Sequence, residues 1–284
     1  MTQSSVTAAL AAAAAICTAG AQASTLIGSQ YSAATQLYTL NQTTGTLSGG
    51  PATGLGDIGD LASSGMDNTV WGVGINANTL YHFNASNGAV IATVPITGSL
   101  TVTGAPEKIV SIAYDSRNNV IYGTSDLALG GGTNDLFRIN TTTGAATLVG
   151  NFQVDSMYAL AWNTVDGFLY GAAGAFGAAS SFWKISTATA ASTFIGDLTS
   201  TGNFDIAFRP EDNVLFMASS GSNALYTVNT ATAAETLVGS YGSATNIAGL
   251  AFAGAVPEPE TWAMMAAGML ALASCVRRRG TSAR

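Results

Sequence analysis

Four short apolar motifs recur in fixed order along this chain, and that recurrence restricts the fold more than any single residue does. The first motif has the form Leu/Ile-Ala-aromatic: Ile112-Ala113-Tyr114, Leu160-Ala161-Trp162, Ile206-Ala207-Phe208 and Leu250-Ala251-Phe252, with a degenerate Leu61-Ala62-Ser63. The second sets a β-branched residue or Leu before a bulky one and usually Gly: Val70-Trp71-Gly72, Ile121-Tyr122-Gly123, Leu169-Tyr170-Gly171, Leu215-Phe216-Met217, and more weakly Leu26-Ile27-Gly28. Turn sequences such as Asp115-Ser116-Arg117-Asn118-Asn119 and Pro210-Glu211-Asp212-Asn213 separate the two, so each pair reads as an antiparallel hairpin. The third motif centres on an aromatic at Tyr38, Tyr81, Phe137, Trp183 and Tyr226 and ends in Asn or Ser. The fourth follows a Thr/Gly/Ala turn, as in Thr147-Leu148-Val149-Gly150 and Thr236-Leu237-Val238-Gly239. Four short strands per unit is the plan of a β-propeller blade.

The third-strand aromatics lie 43, 56, 46 and 43 residues apart, close to the roughly 40–50 of propeller repeats. The repeats begin with second- and third-strand motifs, at Leu26 and Leu37, and end with an unpaired first-strand motif at Leu250. Pieces from the two ends therefore complete one shared blade and close a ring. The expected body is all-β, five four-stranded blades over residues 24–254, with helix only in the terminal segments. A sixth unit is the alternative if the 56-residue interval holds one; its surplus is assigned to a Gly-rich loop around Leu127 to Asn134. The recurring third-strand aromatics are read as core between blades, and the Asn41, Asn84 and Asn140 sequons, which share a repeat position, as Asx-turns at strand ends.

The chemistry available to such a ring is limited. His82 is the single histidine and sits in a strand between Tyr81 and Phe83, which excludes a multi-His metal site. Both cysteines, Cys17 and Cys275, lie in the terminal segments, leaving the body without disulfide or thiol nucleophile. With 9 Lys+Arg against 16 Asp+Glu, the net charge of −7 repels polyanions and argues against nucleic acid. Asp60 and Asp205 occupy one repeat position, directly before the first-strand motif, where strands line the channel. They are read as capping strand ends, with a carboxylate site for Ca²⁺ as the other use of such a pair. No metal or cofactor is otherwise expected.

Both termini read as export machinery. An apolar run over residues 6–17 precedes Ala21-Gln22-Ala23, an A-x-A cleavage pattern, so residues 1–23 are expected to be a signal peptide cut after Ala23. At the other end stands Pro257-Glu258-Pro259, then an apolar run from Trp262 to Val276, then Arg277-Arg278-Arg279. The run has 15 residues, short of the roughly 20 that cross a bilayer core, and the arginine triplet holds its far end in the cytoplasm. This order of features resembles the PEP-CTERM protein-sorting signal of Gram-negative bacteria. The resemblance implies that residues 255–284 are recognised by an exosortase, which removes the tail and passes the protein to the cell surface or exopolysaccharide matrix. Pro257, Glu258 and Pro259 would be the recognition triplet, Trp262 the start of the membrane helix, and Arg277, Arg278 and Arg279 the stop.

The expected function is that of an exported, non-enzymatic propeller, tethered transiently in the inner membrane, then sorted to surface or matrix to bind or scaffold, with exopolysaccharide as a candidate partner. The alternative is a secreted propeller hydrolase or lactonase with a metal held by channel carboxylates.

Overall fold

The computed structural model describes residues 24–254 apart from 66, 99–106, 127–132, 175–179, 203 and 243–245, and it omits the side chains of 126, 133, 134, 155 and 204. The predicted terminal helices lie outside the described residues. Among the described residues there are twenty strands and no helix. The first blade joins β1 (Thr25–Gln30), β2 (Gln36–Leu40) and β3 (Leu47–Ala52) to the last strand, β20 (Ile247–Ala253). The second runs β4 (Ile58–Ser63), β5 (Thr69–Gly74), β6 (Thr79–Asn84), β7 (Val90–Pro95), and the third β8 (Lys108–Asp115), β9 (Val120–Asp126), β10 (Thr133–Asn140), β11 (Ala146–Asp155). The fourth is β12 (Met157–Trp162), β13 (Leu169–Ala173), β14 (Ser180–Ile185), β15 (Ser192–Leu198), and the fifth β16 (Phe204–Phe208), β17 (Leu215–Ser219), β18 (Ala224–Val228), β19 (Glu235–Ser240). Every pairing within these five four-stranded sheets is antiparallel, and β20 hydrogen-bonds β1 with Leu26 opposite Phe252, so the ring closes as the motif order requires.

The register explains the motifs. In all five blades the Ala of the first motif lies directly across from the bulky residue of the second: Ala62 opposite Trp71, Ala113 opposite Tyr122, Ala161 opposite Tyr170, Ala207 opposite Phe216, Ala251 opposite Ile27. A small residue there leaves space above the bulky side chain, and the next blade fills it. Tyr114 approaches Trp71 with ring centroids 6.4 Å apart, Trp162 approaches Tyr122 at 6.3 Å, Phe208 meets Tyr170 at 5.4 Å and Phe252 meets Phe216 at 5.6 Å. Such pairs add about 0.5–1.5 kcal/mol beyond the area they bury. The two degenerate motifs belong to one junction: Ile27 of the first blade and Ser63 of the second stand where the other four junctions carry ring pairs.

The core is five wedges, each shared by two neighbouring blades, and the wedge between fifth and first blades includes Phe216, Leu26 and Phe252. Each third-strand aromatic packs into one wedge: Tyr38, Tyr81, Phe137, Trp183 and Tyr226 into five different ones. The turns between third and fourth strands latch each blade to the one before it. Asn41, Asn84, Asn140 and Asn229 accept two backbone N–H bonds each within their turns, as Asx-turns do. The turn then ends on a residue with positive φ, Gly45, Gly88, Gly144, Ala190 or Ala233, pressed against the preceding blade's outer strand. A Cβ on Gly144 would meet the Pro95 carbonyl oxygen at 1.9 Å, and where the turn residue is Ala190 or Ala233 the opposing residue is glycine, Gly150 or Gly196. Among the described residues, the long interval between Tyr81 and Phe137 contains no sixth blade. It is taken up by the chain between β7 and β8 as well as by residues after β9, and Thr133 and Asn134, expected in a loop, already belong to β10.

Candidate functional site

The innermost strands β4, β8, β12, β16 and β20 each present an unpaired edge toward the ring axis, and an edge buried there leaves backbone N–H groups needing acceptors. The residues before the first motif supply some of them. Asp60 accepts from its own neighbour Leu61 N at 2.6 Å and from Ile112 N of the next inner strand at 2.6 Å. Asp205 repeats the device, accepting from Ile206 N at 2.7 Å and from Leu250 N of the strand that follows it in the ring. The equivalent positions elsewhere are Ser111, Ala159 and Gly249, too short to do the same, and the Ser111 hydroxyl lies beside the Asp60 carboxyl.

The Asp60 and Asp205 carboxyls also come within hydrogen-bonding reach of each other. Both are 0% exposed. Two carboxylates cannot approach in this way while both are ionised, so the contact requires a shared proton. Burial pushes Asp60 up to about 7 against the pull of its hydrogen bonds, and burial together with the Asp60 charge raises Asp205 well above the usual carboxylate range. The pair forms a fully buried, neutral or singly charged knot whose oxygens already face N–H donors. Asp57, also close to the first strand motif in sequence, is not drawn into it: its carboxylate accepts from Asn76 at 2.8 Å, and its backbone takes a positive φ of 58°. Among the described residues no group of three or more His, Cys, Asp or Glu side chains is placed to hold a metal.

Above the pair the channel widens into a cup of about 210 Å³ at the end of the ring that carries the turns between first and second strands. All five inner strands contribute to it. Leu61, Leu160, Ile206 and Leu250, the leading residues of the motif, meet there with the rim residues Tyr114, Trp162 and Phe208, and with Ser63 where the second blade has no ring; Phe252 of β20 is fully buried and outside the lining. The rim rings are braced from behind by the inter-blade pairs, and Tyr114 is fixed further by donating its hydroxyl hydrogen to Asn119 at 3.0 Å. Ser63 Oγ accepts from Phe252 N at 2.7 Å. The Trp162 indole N–H is buried without an acceptor. Arg209, also on the rim, is engaged: it binds Asp212 through two nitrogens at 2.8 and 2.6 Å and Gln42 at 2.9 Å. The sequence marked the rim residues as strand motif but not as a site, because which end of a motif faces open space depends on the ring.

His82 stacks on Trp71 at 4.3 Å and shares a 2.7 Å hydrogen bond with Thr69, and burial lowers its pKa below the ordinary histidine value. It stands on the third strand of its blade, away from the cup lining. Ala21 and Ala23 of the predicted cleavage site, and Pro257, Glu258, Pro259, Trp262, Arg277, Arg278 and Arg279 of the predicted sorting signal, lie outside the described residues. Among the described residues no helix is long and apolar enough to cross a membrane.

Comparison with known proteins speaks to both parts of the chain. Residues 255–279 match the PEP-CTERM protein-sorting motif, so the chain carries a tail that implies export, membrane anchoring before sorting, and processing by exosortase. The β body resembles a chain in the crystal structure of a nidogen/laminin complex, with a TM-score of 0.55 and 11% identity, covering 81% of this chain and 98% of that one. It is also similar to a 6-phosphogluconolactonase-like protein from Bacteroides fragilis described as putative, with a TM-score of 0.45 and 10% identity, covering 81% and 98%. At these identities the likeness concerns the fold alone. No curated protein sequence matches the chain.

Proposed function

We propose that this protein is an exported, non-enzymatic binding propeller that is delivered to the cell surface or extracellular matrix and meets its ligand at the aromatic-rimmed cup. In this reading residues 1–23 are a signal peptide cleaved after Ala23, residues 24–254 the working domain, and residues 255–284 a sorting segment. Pro257-Glu258-Pro259 is the element recognised by exosortase, the helix from Trp262 holds the precursor in the inner membrane, and Arg277 to Arg279 stop its transfer.

The observation that carries the binding role is the cup above a buried carboxyl pair. The acidic groups on the axis are consumed in satisfying backbone donors and one another, while the accessible space is walled by braced rings and hydroxyls, an arrangement for contact rather than for proton transfer to a substrate. Replacing Pro257-Glu258-Pro259 by alanines, in a host that has the cognate exosortase, leaves export and folding intact, and the uncleaved protein accumulates in the inner membrane. Processing and delivery equal to wild type would refute the sorting role of the triplet. Turnover of lactone, ester or glycoside substrates that is lost in Asp60→Asn or Asp205→Asn would refute the non-enzymatic reading and favour a hydrolase.

A further inference from the structure

We infer that the cup binds a single neutral sugar ring, the end or one unit of a saccharide, by stacking on Trp162 and Tyr114 with the hydroxyl edge turned toward Ser63. This rests on the cup being the binding site proposed above, and it adds the ligand's chemical class.

Three observations select that class. The first is charge. Arg209 is neutralised by Asp212, no carboxylate belongs to the lining, and the chain's net charge of −7 disfavours anions, so neither a phosphate nor a carboxylate ligand finds a free partner. A cationic ligand would find ring faces but no counter-charge in the lining.

The second is asymmetry. Four junctions around the ring carry aromatic pairs and the fifth carries Ile27 and Ser63; Tyr114, Trp162 and Phe208 of those pairs reach the cup, and hydroxyls reach it from Ser63 and from Ser116 and Thr164 on the turns of the third and fourth blades. A pyranose has the complementary shape, with C–H groups on its faces and hydroxyls on its edge.

The third is size. A cup of about 210 Å³ falls below the roughly 300–1,000 Å³ of sites that enclose drug-sized ligands, so one ring enters and a longer chain continues outside.

The test uses the full-length protein in a detergent without sugar headgroups, titrated with the methyl glycosides of glucose, galactose, mannose and N-acetylglucosamine, and with choline, while tryptophan emission is followed. At least one glycoside saturates with a Kd of about 1 mM, equivalent to about −4 kcal/mol, and choline does not. Trp162→Ala weakens that binding at least about tenfold, or 1.4 kcal/mol, whereas Trp183→Phe, in the wedge between blades and outside the cup, leaves it unchanged. Because Trp162→Ala removes core packing, Ser63→Phe serves as the second variant: it fills the cup from the second blade's ringless position and keeps Trp162, and it too abolishes binding with a wild-type circular dichroism spectrum. Saturation by choline alone, silence from every glycoside, or glycoside binding that survives Ser63→Phe overturns the inference. If no glycoside binds but Ser63→Phe is processed and then lost from the surface, the ligand class is wrong and the cup reading stands. If Ser63→Phe is retained like wild type, the cup reading falls as well.

Discussion

The shared proton between Asp60 and Asp205 makes the stability of the ring depend on pH in a calculable direction. In the unfolded chain an aspartate releases its proton near its ordinary value of 3.8, whereas in the fold Asp60 keeps its proton until about 7. Between those values the folded state binds more protons than the unfolded state, so stability is complete below about pH 4 and falls as pH rises toward 7. A rise from 3.8 to about 7 corresponds to about 4 kcal/mol at about 1.4 kcal/mol per tenfold change. Asp205, raised in the same sense by burial and by the Asp60 charge, adds to this loss as pH rises. Against a typical total of about 5–15 kcal/mol this is a large fraction.

The assay is guanidinium unfolding followed by tryptophan fluorescence from pH 4 to pH 8, on wild type and on Asp60→Asn/Asp205→Asn. The double variant carries no titrating group on the axis, so its stability lacks this slope. It is destabilised at pH 4, because amide nitrogens now face some of the backbone donors at about 1–3 kcal/mol each, and the gap to wild type narrows as pH rises. Other carboxyls cancel in the difference. Asp135, raised by burial, is common to both proteins. So are Asp166, where bonds from Lys184 and Tyr170 outweigh burial to hold it low, and Asp212, held low by Arg209; both act in the opposite sense, below about pH 4. A difference between wild type and double variant that does not change from pH 4 to pH 8 would refute the shared proton.

Two further outcomes test the ring itself. Gly144→Ala places a methyl 1.9 Å from the Pro95 oxygen at a φ of +71° and lowers unfolding stability by about 3 kcal/mol, combining the left-handed backbone term with overpacking; Gly54→Ala, at +73° with nothing within 4 Å, loses only about 1 kcal/mol, and equal losses in urea unfolding would contradict the latch. Truncation after Gly254 leaves a cooperatively folding soluble ring, whereas truncation before Ile247 removes the partner of β1 and the last inner strand and yields aggregates by gel filtration; a monomeric folded product of the shorter chain would refute closure through β20.

The sequence by itself determined the blade plan and the closure and favoured five blades while leaving a sixth open, because each blade repeats the same register constraint: a small alanine opposite a bulky residue, a turn of fixed chemistry, an aromatic for the wedge. Local rules applied five times leave a legible period, and the sorting tail was legible for the same reason, since a motif, an apolar run and a basic stop are read along the chain rather than across it. The identity of Asp60 and Asp205 as equivalent positions was also visible. That they meet was not, since their strands are separated by β20 and only closing the ring brings two carboxyls onto one axis. The cup depended on the same closure. Ser63 and Ile27 each looked like a weak copy of a motif until the ring set both at one junction, and it is the missing aromatic pair there, a relation between residues 36 positions apart, that turns a symmetric packing pattern into a one-sided site.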